Sequence, residues 1–235
     1  VGGALVVAEC QTPPCPHAYT DHQGNFTIFN VVAGNYEVVA YKKGLYLEPK
    51  SVTMASTDVT GVTLAASTFT GGTVTGSVNI VNAPGGAMTS IVLIPESTFH
   101  ETLVHGVVGP GLRAPEPPAA PNVDGAYSIT GVPAGDYVVL AAFENDGLVR
   151  DPDPTISGTQ IVHFTISAAA PTAEIDAFKV TEALEIVSPG ASEPEAIGQG
   201  APTFRWKDDS SEDEYVLKVY DMFGVRFEGH PDLRR

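Results

Sequence analysis

The chain of 235 residues carries 12 Lys and Arg against 28 Asp and Glu, a formal net charge of −16, with 24 Gly, 19 Pro and 17% charged residues. Its only basic clusters are Lys42-Lys43 and the terminal Arg234-Arg235, which argues against a nucleic-acid partner. No apolar run approaches the roughly 20 residues that span a bilayer, so no membrane span is expected. The Gly- and Pro-rich composition predicts short strands joined by turns, in two or three small β domains. The opening residues VGGALVVAEC lack the charged start of a signal peptide. The chain reads as soluble and either processed or trimmed.

In chain order, the first feature is the pair Cys10 and Cys15 around QTPP. Two sulfurs this close in a Pro-rich loop predict a disulfide and with it an oxidising compartment. CQTPPCPH misses the C-x-x-C-H spacing of covalent haem attachment. The other reading of the segment is a metal site on the two cysteines and His17, which needs a further ligand such as His22.

Two segments then share one grammar: GNFTIFNVVAGNYEVVAYKKG from Gly24 to Gly44, and GAYSITGVPAGDYVVLAAFENDG from Gly125 to Gly147. Each runs Gly, aromatic, alternating strand, V-x-A-G turn, Tyr36 or Tyr137, and a second alternating strand. Gly24 and Gly125, then Gly34 and Gly135, are expected where turns need positive φ. The tyrosines should anchor a core.

Between the copies of this repeat, HETLVH at 100 to 105 nearly matches the H-E-x-x-H of zinc peptidases. Its histidines are five apart, about 140° of helical rotation, so they diverge on a helix. The surrounding GPG and RAPEPPAAP also forbid a long helix. His100 and His105 are therefore candidates for ligand or partner contact within an insertion at 98–122, long enough to be functional. Further on, Asp151 and Asp153, and the acidic run from Asp208 to Glu214, lack the loop spacing of an EF-hand. Asp151 and Asp153 remain candidate calcium ligands; no other cofactor is implied.

The repeat resembles the carboxypeptidase regulatory-like domain, a transthyretin-like β-sandwich. Its pattern is matched by Asp21, Gly24, Phe26, Ile28, Val31, Gly34 and Tyr36, and again by Gly125, Tyr127, Ile129, Val132, Gly135 and Tyr137. Asp124 departs from it, directly preceding the second Gly. The resemblance implies an all-β chain of tandem antiparallel sandwiches, prealbumin-like or Ig-like, strung as beads. Residues 1–68 form a first domain lacking its first strand, with GGALVVAE in the place of the second. Residues 69–181 form a complete second domain, beginning with GGTVTGSVNIV. Residues 182–235 resemble the opening of a fibronectin type III-like domain, with Trp206, Tyr215, Leu217 and Val219 as its core and the rest supplied by continuation of the chain or by another chain. Related Cna B-like domains form isopeptide cross-links with a buried acid; here those positions are Ala40 and Ala141, so no cross-link is expected.

No nucleophile elbow, phosphate loop or dinucleotide fingerprint occurs, and no catalysis is expected. The leading expectation is a bacterial secreted or cell-surface module, extracellular or periplasmic, that spaces or assembles other protein chains or further domains of its own. One alternative is a carbohydrate-binding module, with Tyr19, Tyr41, Tyr46 and Phe99 as aromatic platforms, Tyr41 and Tyr46 flanking the Lys-Lys-Gly loop. The other is an accessory part of a larger extracellular enzyme or redox protein.

Overall fold

The computed structural model describes residues 1–81, 89–101, 106–120, 122–143, 148–150, 161–181, 186–191, 194–198 and 200–206. Apart from a 3-10 turn at Glu96–Thr98, every regular element among them is a β-strand. The chain divides into two units, Val1–Ala183 and Leu184–Arg235.

In the first unit, the first copy of the repeat builds one antiparallel sheet. Its strands are β1 (Leu5–Glu9), β2 (His17–Tyr19), β3 (Gly34–Tyr41) and β4 (Lys50–Met54), ordered β2-β1-β3-β4. The second copy builds two sheets. One holds β6 (Thr89–Pro95), β7 (Arg113–Ala114), β9 (Gly135–Phe143) and β10 (Leu148–Arg150), ordered β10-β9-β6-β7, with β11 (Val162–Ile166) also on β9. The other holds β5 (Gly72–Val81), β8 (Ala126–Val132) and β12 (Thr172–Thr181), ordered β12-β5-β8. β5 runs antiparallel to β8 but parallel to β12, so this sheet is mixed.

Register confirms which strands correspond. Val6 lies opposite Ala40 and Ala8 opposite Val38 in the first copy, as Ile91 lies opposite Ala141 and Leu93 opposite Val139 in the second. GGALVVAE thus occupies the place of TSIVLIP. β6 is buried along its whole length because both its faces are covered, which explains its unbroken apolar run. β8 has one covered face, so Tyr127, Ile129 and Val132 are buried while Ala126, Ser128 and Thr130 are exposed.

Turn chemistry is legible atom by atom. Asp21 Oδ1 accepts the N–H of Gln23 at 2.9 Å and of Asn25 at 2.8 Å, and Asn25 Nδ2 donates to Oδ2 at 3.0 Å. These bonds hold the Asp21 carboxyl below its ordinary pKa. Gly24 and Gly125 take positive φ, 90° and 131°, as expected. Gly34 does not; in the first copy the left-handed residue of the next turn is Asn30, φ 58°, matched by Gly131 at 70°. Asn tolerates that conformation because its side chain is short and polar. Tyr36 and Tyr137 each donate their hydroxyl to the carbonyl four residues earlier, Val32 and Pro133, at 2.9 Å.

Where the sequence suggests beads, the two copies share a core. Leu5, Val7, Cys15 and Tyr41 of the first join Val74, Ile91, Leu93, Tyr127, Ile129 and Tyr137 of the second in one buried cluster. In the second unit, β13 (Ile186–Ser188) pairs antiparallel with β14 (Arg205–Trp206). Tyr215, Leu217 and Val219, expected in its core, lie outside the described residues.

Candidate functional site

Cys10 and Cys15 form the expected disulfide. Cys15 is buried, and its N–H donates to the Ser97 carbonyl at 2.7 Å, tying the clipped loop to the second copy. Oxidised cysteines offer no thiolate, so the metal reading on Cys10, Cys15, His17 and His22 does not hold in this state. His17 is exposed and bonds the Cys15 carbonyl through Nδ1 at 3.0 Å; His22 is exposed in the Asp21 turn. Among the described residues, no three His, Cys, Asp or Glu side chains converge as a metal site.

His100 is half-buried just after the 3-10 turn, while His105, Asp151 and Asp153 lie outside the described residues. Parts of the insertion are folded against the second copy, while Glu116 to Ala120 are exposed. Phe99 packs with Val92, Ile94, Val138 and Leu140 on the outer face of the β6–β9 sheet and meets His163 edge-on, ring centroids 6.3 Å apart. His163 Nδ1 is 3.2 Å from Glu96 Oε1. Farther along, Leu112 is fully buried and β7 extends the sheet.

Two of the proposed aromatic platforms must be corrected. Tyr41 is 3% exposed, crosses Tyr137 edge-on at 5.8 Å and donates its hydroxyl to Glu9 Oε1 at 2.7 Å, so it is a core residue. Phe99, likewise 3% exposed, cannot stack on a sugar either. Tyr46 is half-buried against Phe69, centroids 6.2 Å apart. Its Lys-Lys-Gly loop joins the copies: Lys43 pairs with Glu116, and the Lys43 and Gly44 N–H groups donate to the Pro110 and Gly131 carbonyls at 2.9 and 2.8 Å. Only Tyr19, 52% exposed, remains open. Phe29, 74% exposed, was missed. Alternation around Phe26 and Ile28 sends residue 29 to the opposite side, and that signal was available. With Pro14, His17 and Thr27, Phe29 rims a shallow depression beside β2.

Glu9 sits between the copies. Its Oε1 accepts Tyr41 Oη and, at 2.9 Å, Ser97 Oγ. Burial raises its pKa, opposed by those two hydrogen bonds and reinforced by Asp136 and Glu37. Burial first, and then the Glu9 charge, push the Tyr41 hydroxyl far upward. These groups hold the copies together.

A groove of about 950 Å³ runs along the first copy. Its floor includes Val6, Val38 and Ala40, and its two walls are the segments around Phe26–Val31 and Val59–Leu64. Neither wall is a strand, and no backbone ladder joins either one to another described residue. Yet Phe26 and Ile28, like Val62 and Leu64, are half-buried while their neighbours Thr27 and Thr63 are exposed, the alternation of extended chain.

A family described as polysaccharide lyase family 4, domain II, matches residues 17–62, the segment from β2 through β4 to the start of the second groove wall. A family described as the respiratory-chain NADH dehydrogenase 30 Kd subunit matches residues 216–235, outside the described residues. No curated protein and no solved structure matches the chain.

Proposed function

We propose that this chain is a non-catalytic accessory module of a secreted or cell-surface assembly, whose two repeats work as a single spacing body. The observation that carries the reading is the shared core. Tyr41 packs on Tyr137, the Cys15 and Gly44 N–H groups bond the other copy's backbone, and Glu9 is held by Ser97. Two sandwiches on a flexible linker swing freely; two that bury apolar surface against each other transmit position. The disulfide favours an oxidising, extracellular or periplasmic setting. The match to a domain of a polysaccharide lyase, and the resemblance to carboxypeptidase regulatory-like domains, both favour service beside chemistry done elsewhere.

Hydrogen exchange of the whole chain in mild denaturant tests this. Peptides from β3 and β9 should open with one common free energy. Separate opening of β3 at a much lower free energy would mean that the copies are independent beads. Intact mass should rise by two hydrogens on reduction of Cys10–Cys15.

A second reading, polysaccharide contact, is favoured by one observation: the lyase-domain match spans the segment that exposes Tyr19 and Phe29. Gel retardation across a panel of soluble polysaccharides, with Tyr19→Ala and Phe29→Ala, tests it. Retardation lost in both variants supports sugar binding, and absence of retardation by any polysaccharide removes it.

A further inference from the structure

The Cys10–Cys15 bridge sits where the two copies meet, and both arms of its loop hold one residue of the second copy. On one arm the Cys15 N–H donates to the Ser97 carbonyl at 2.7 Å. On the other, Glu9, which ends β1 and directly precedes Cys10, accepts the Ser97 hydroxyl through Oε1 at 2.9 Å and the Tyr41 hydroxyl at 2.7 Å. Ser97 is buried in the 3-10 turn Glu96–Thr98. Its backbone and its side chain are thus held by two residues whose spacing the disulfide fixes, with 5.5 Å between the cysteine Cα atoms. A bridge between residues five apart constrains the unfolded chain less than a long-range one, so its effect concentrates on what it holds in the folded state.

Its two sulfurs are not equivalent. Cys15 belongs to the core that the copies share and is 2% exposed, whereas Cys10 is half-buried at the edge of that core and leads into residues 11–14, all exposed. A thiol arriving from solvent therefore meets Cys10 first. The Cys10 N–H donates to Cys15 Sγ at 2.9 Å, and such a hydrogen bond stabilises that sulfur as a leaving thiolate. Access to one sulfur and a supported leaving group on the other are what thiol–disulfide exchange requires.

We propose that the Cys10–Cys15 disulfide is a redox-sensitive latch, opened by an external dithiol, whose reduction releases the Ser97 turn of the second copy from the first. One thiolate of the dithiol attacks Cys10 Sγ, forming a mixed disulfide and expelling Cys15 Sγ. The dithiol's second thiolate then attacks its own sulfur in that mixed disulfide and expels Cys10 Sγ. The dithiol becomes a cyclic disulfide, two electrons pass to the protein, and the dithiol's two protons end on Cys10 and Cys15. With the loop open, Glu9 and Cys15 no longer hold Ser97 at one fixed spacing, while the Lys43 and Gly44 contacts still join the copies.

The latch rests on the reading that the oxidised copies open as one body, and the two can fail separately. Hydrogen exchange of the intact chain is followed by NMR with and without dithiothreitol. On reduction the Cys15 amide should exchange at least about tenfold faster, whereas amides of β5 and β8 within the second copy should change less than about twofold. Unchanged exchange at Cys15, or an equal rise in β5 and β8, would overturn the latch. Cys10→Ser, which leaves the buried Cys15 in place, should show the fast Cys15 amide without reductant and no further response to it. A Cys15 amide as slow as in the oxidised parent would count equally against the proposal. After brief exposure to 2-mercaptoethanol and an acid quench, fragment masses should place the mixed disulfide on Cys10; an adduct on Cys15 would overturn the assigned attack. Separate opening of β3 and β9 already in the oxidised chain would instead remove the single-body reading, with the Cys15 comparison still deciding the latch.

Discussion

The two copies of one repeat differ less in sequence than in fate. Tyr137 is fully buried and stacked on Phe164 with centroids 5.6 Å apart, whereas Tyr36, with the same hydroxyl bond to a carbonyl four residues back, is only half-buried. Ile129 is 1% exposed and its counterpart Ile28 is half-buried. The second copy has β5 to close its sandwich, and the first copy's sheet then packs against it. The first copy has a sheet on which Val6, Val38 and Ala40 are buried beneath the flanking Phe26, Ile28, Val62 and Leu64. The same local pattern therefore forms a laddered strand at Ala126–Val132 and extended chain without a ladder at residues 26–31.

The largest test of that contrast is tyrosine truncation. Tyr137→Ala should cost about 3–5 kcal/mol by urea unfolding, the range for emptying a packed aromatic site. Tyr36→Ala should cost about 1 kcal/mol, since much of its ring already meets solvent. Equal losses would mean that both cores are closed alike.

Next in size is Gly135. A Cβ there would lie 2.9 Å from the Tyr41 ring, and its φ is +156°. Gly135→Ala should destabilise by about 1–3 kcal/mol through overpacking where the copies meet. Gly34→Ala, with an ordinary φ and its nearest atom on the Tyr36 ring at 3.3 Å, should stay below about 1 kcal/mol. A reversed order would remove the argument that Gly135 is needed for the approach of Tyr41.

Smaller again is the left-handed turn residue. Gly131→Ala should cost about 1–2 kcal/mol, because an L side chain is disfavoured at φ 70°. Asn30→Gly, at the same turn of the first copy, should change stability by less than about 0.5 kcal/mol. Thermal melts of the two variants decide it.

The smallest effect is electrostatic. Glu9 has its folded pKa raised above 4.5, so the folded chain binds more protons than the unfolded chain between that value and the raised one. Stability should accordingly fall as pH rises through this window, and be greatest below it. Glu9→Gln should remove that part of the slope. Asp21, with its pKa lowered, acts oppositely, giving up its contribution only as pH drops through its depressed value. A Glu9→Gln profile parallel to that of the parent chain would place no titrating burden between the copies.

Much of the fold could be read from local chemistry. Asp21 and Gly24 announce a turn because one supplies acceptors to neighbouring N–H groups and the other takes positive φ. Alternation in AYSITGV sorts its side chains correctly between core and solvent. The Cys10–Cys15 clip follows from spacing. The candidate site was less legible. Tyr41 ends an alternating strand beside two lysines and looks exposed from the sequence, but it packs on Tyr137 of the other copy and donates its hydroxyl to Glu9. Phe99 seemed to open a loose insertion, yet it covers a sheet face.

By itself, then, the sequence determined the all-β class, the facing of strands such as Ala126–Val132, the turns at Gly24 and Gly125, the clip and the internal repeat, since each depends on residues close together in the chain. Only the tertiary structure decided that the two copies share a core and that Tyr41 belongs to it. Those outcomes depend on which surfaces meet across more than a hundred residues of chain. A periodic pattern states that a face is apolar, and only packing states what covers it.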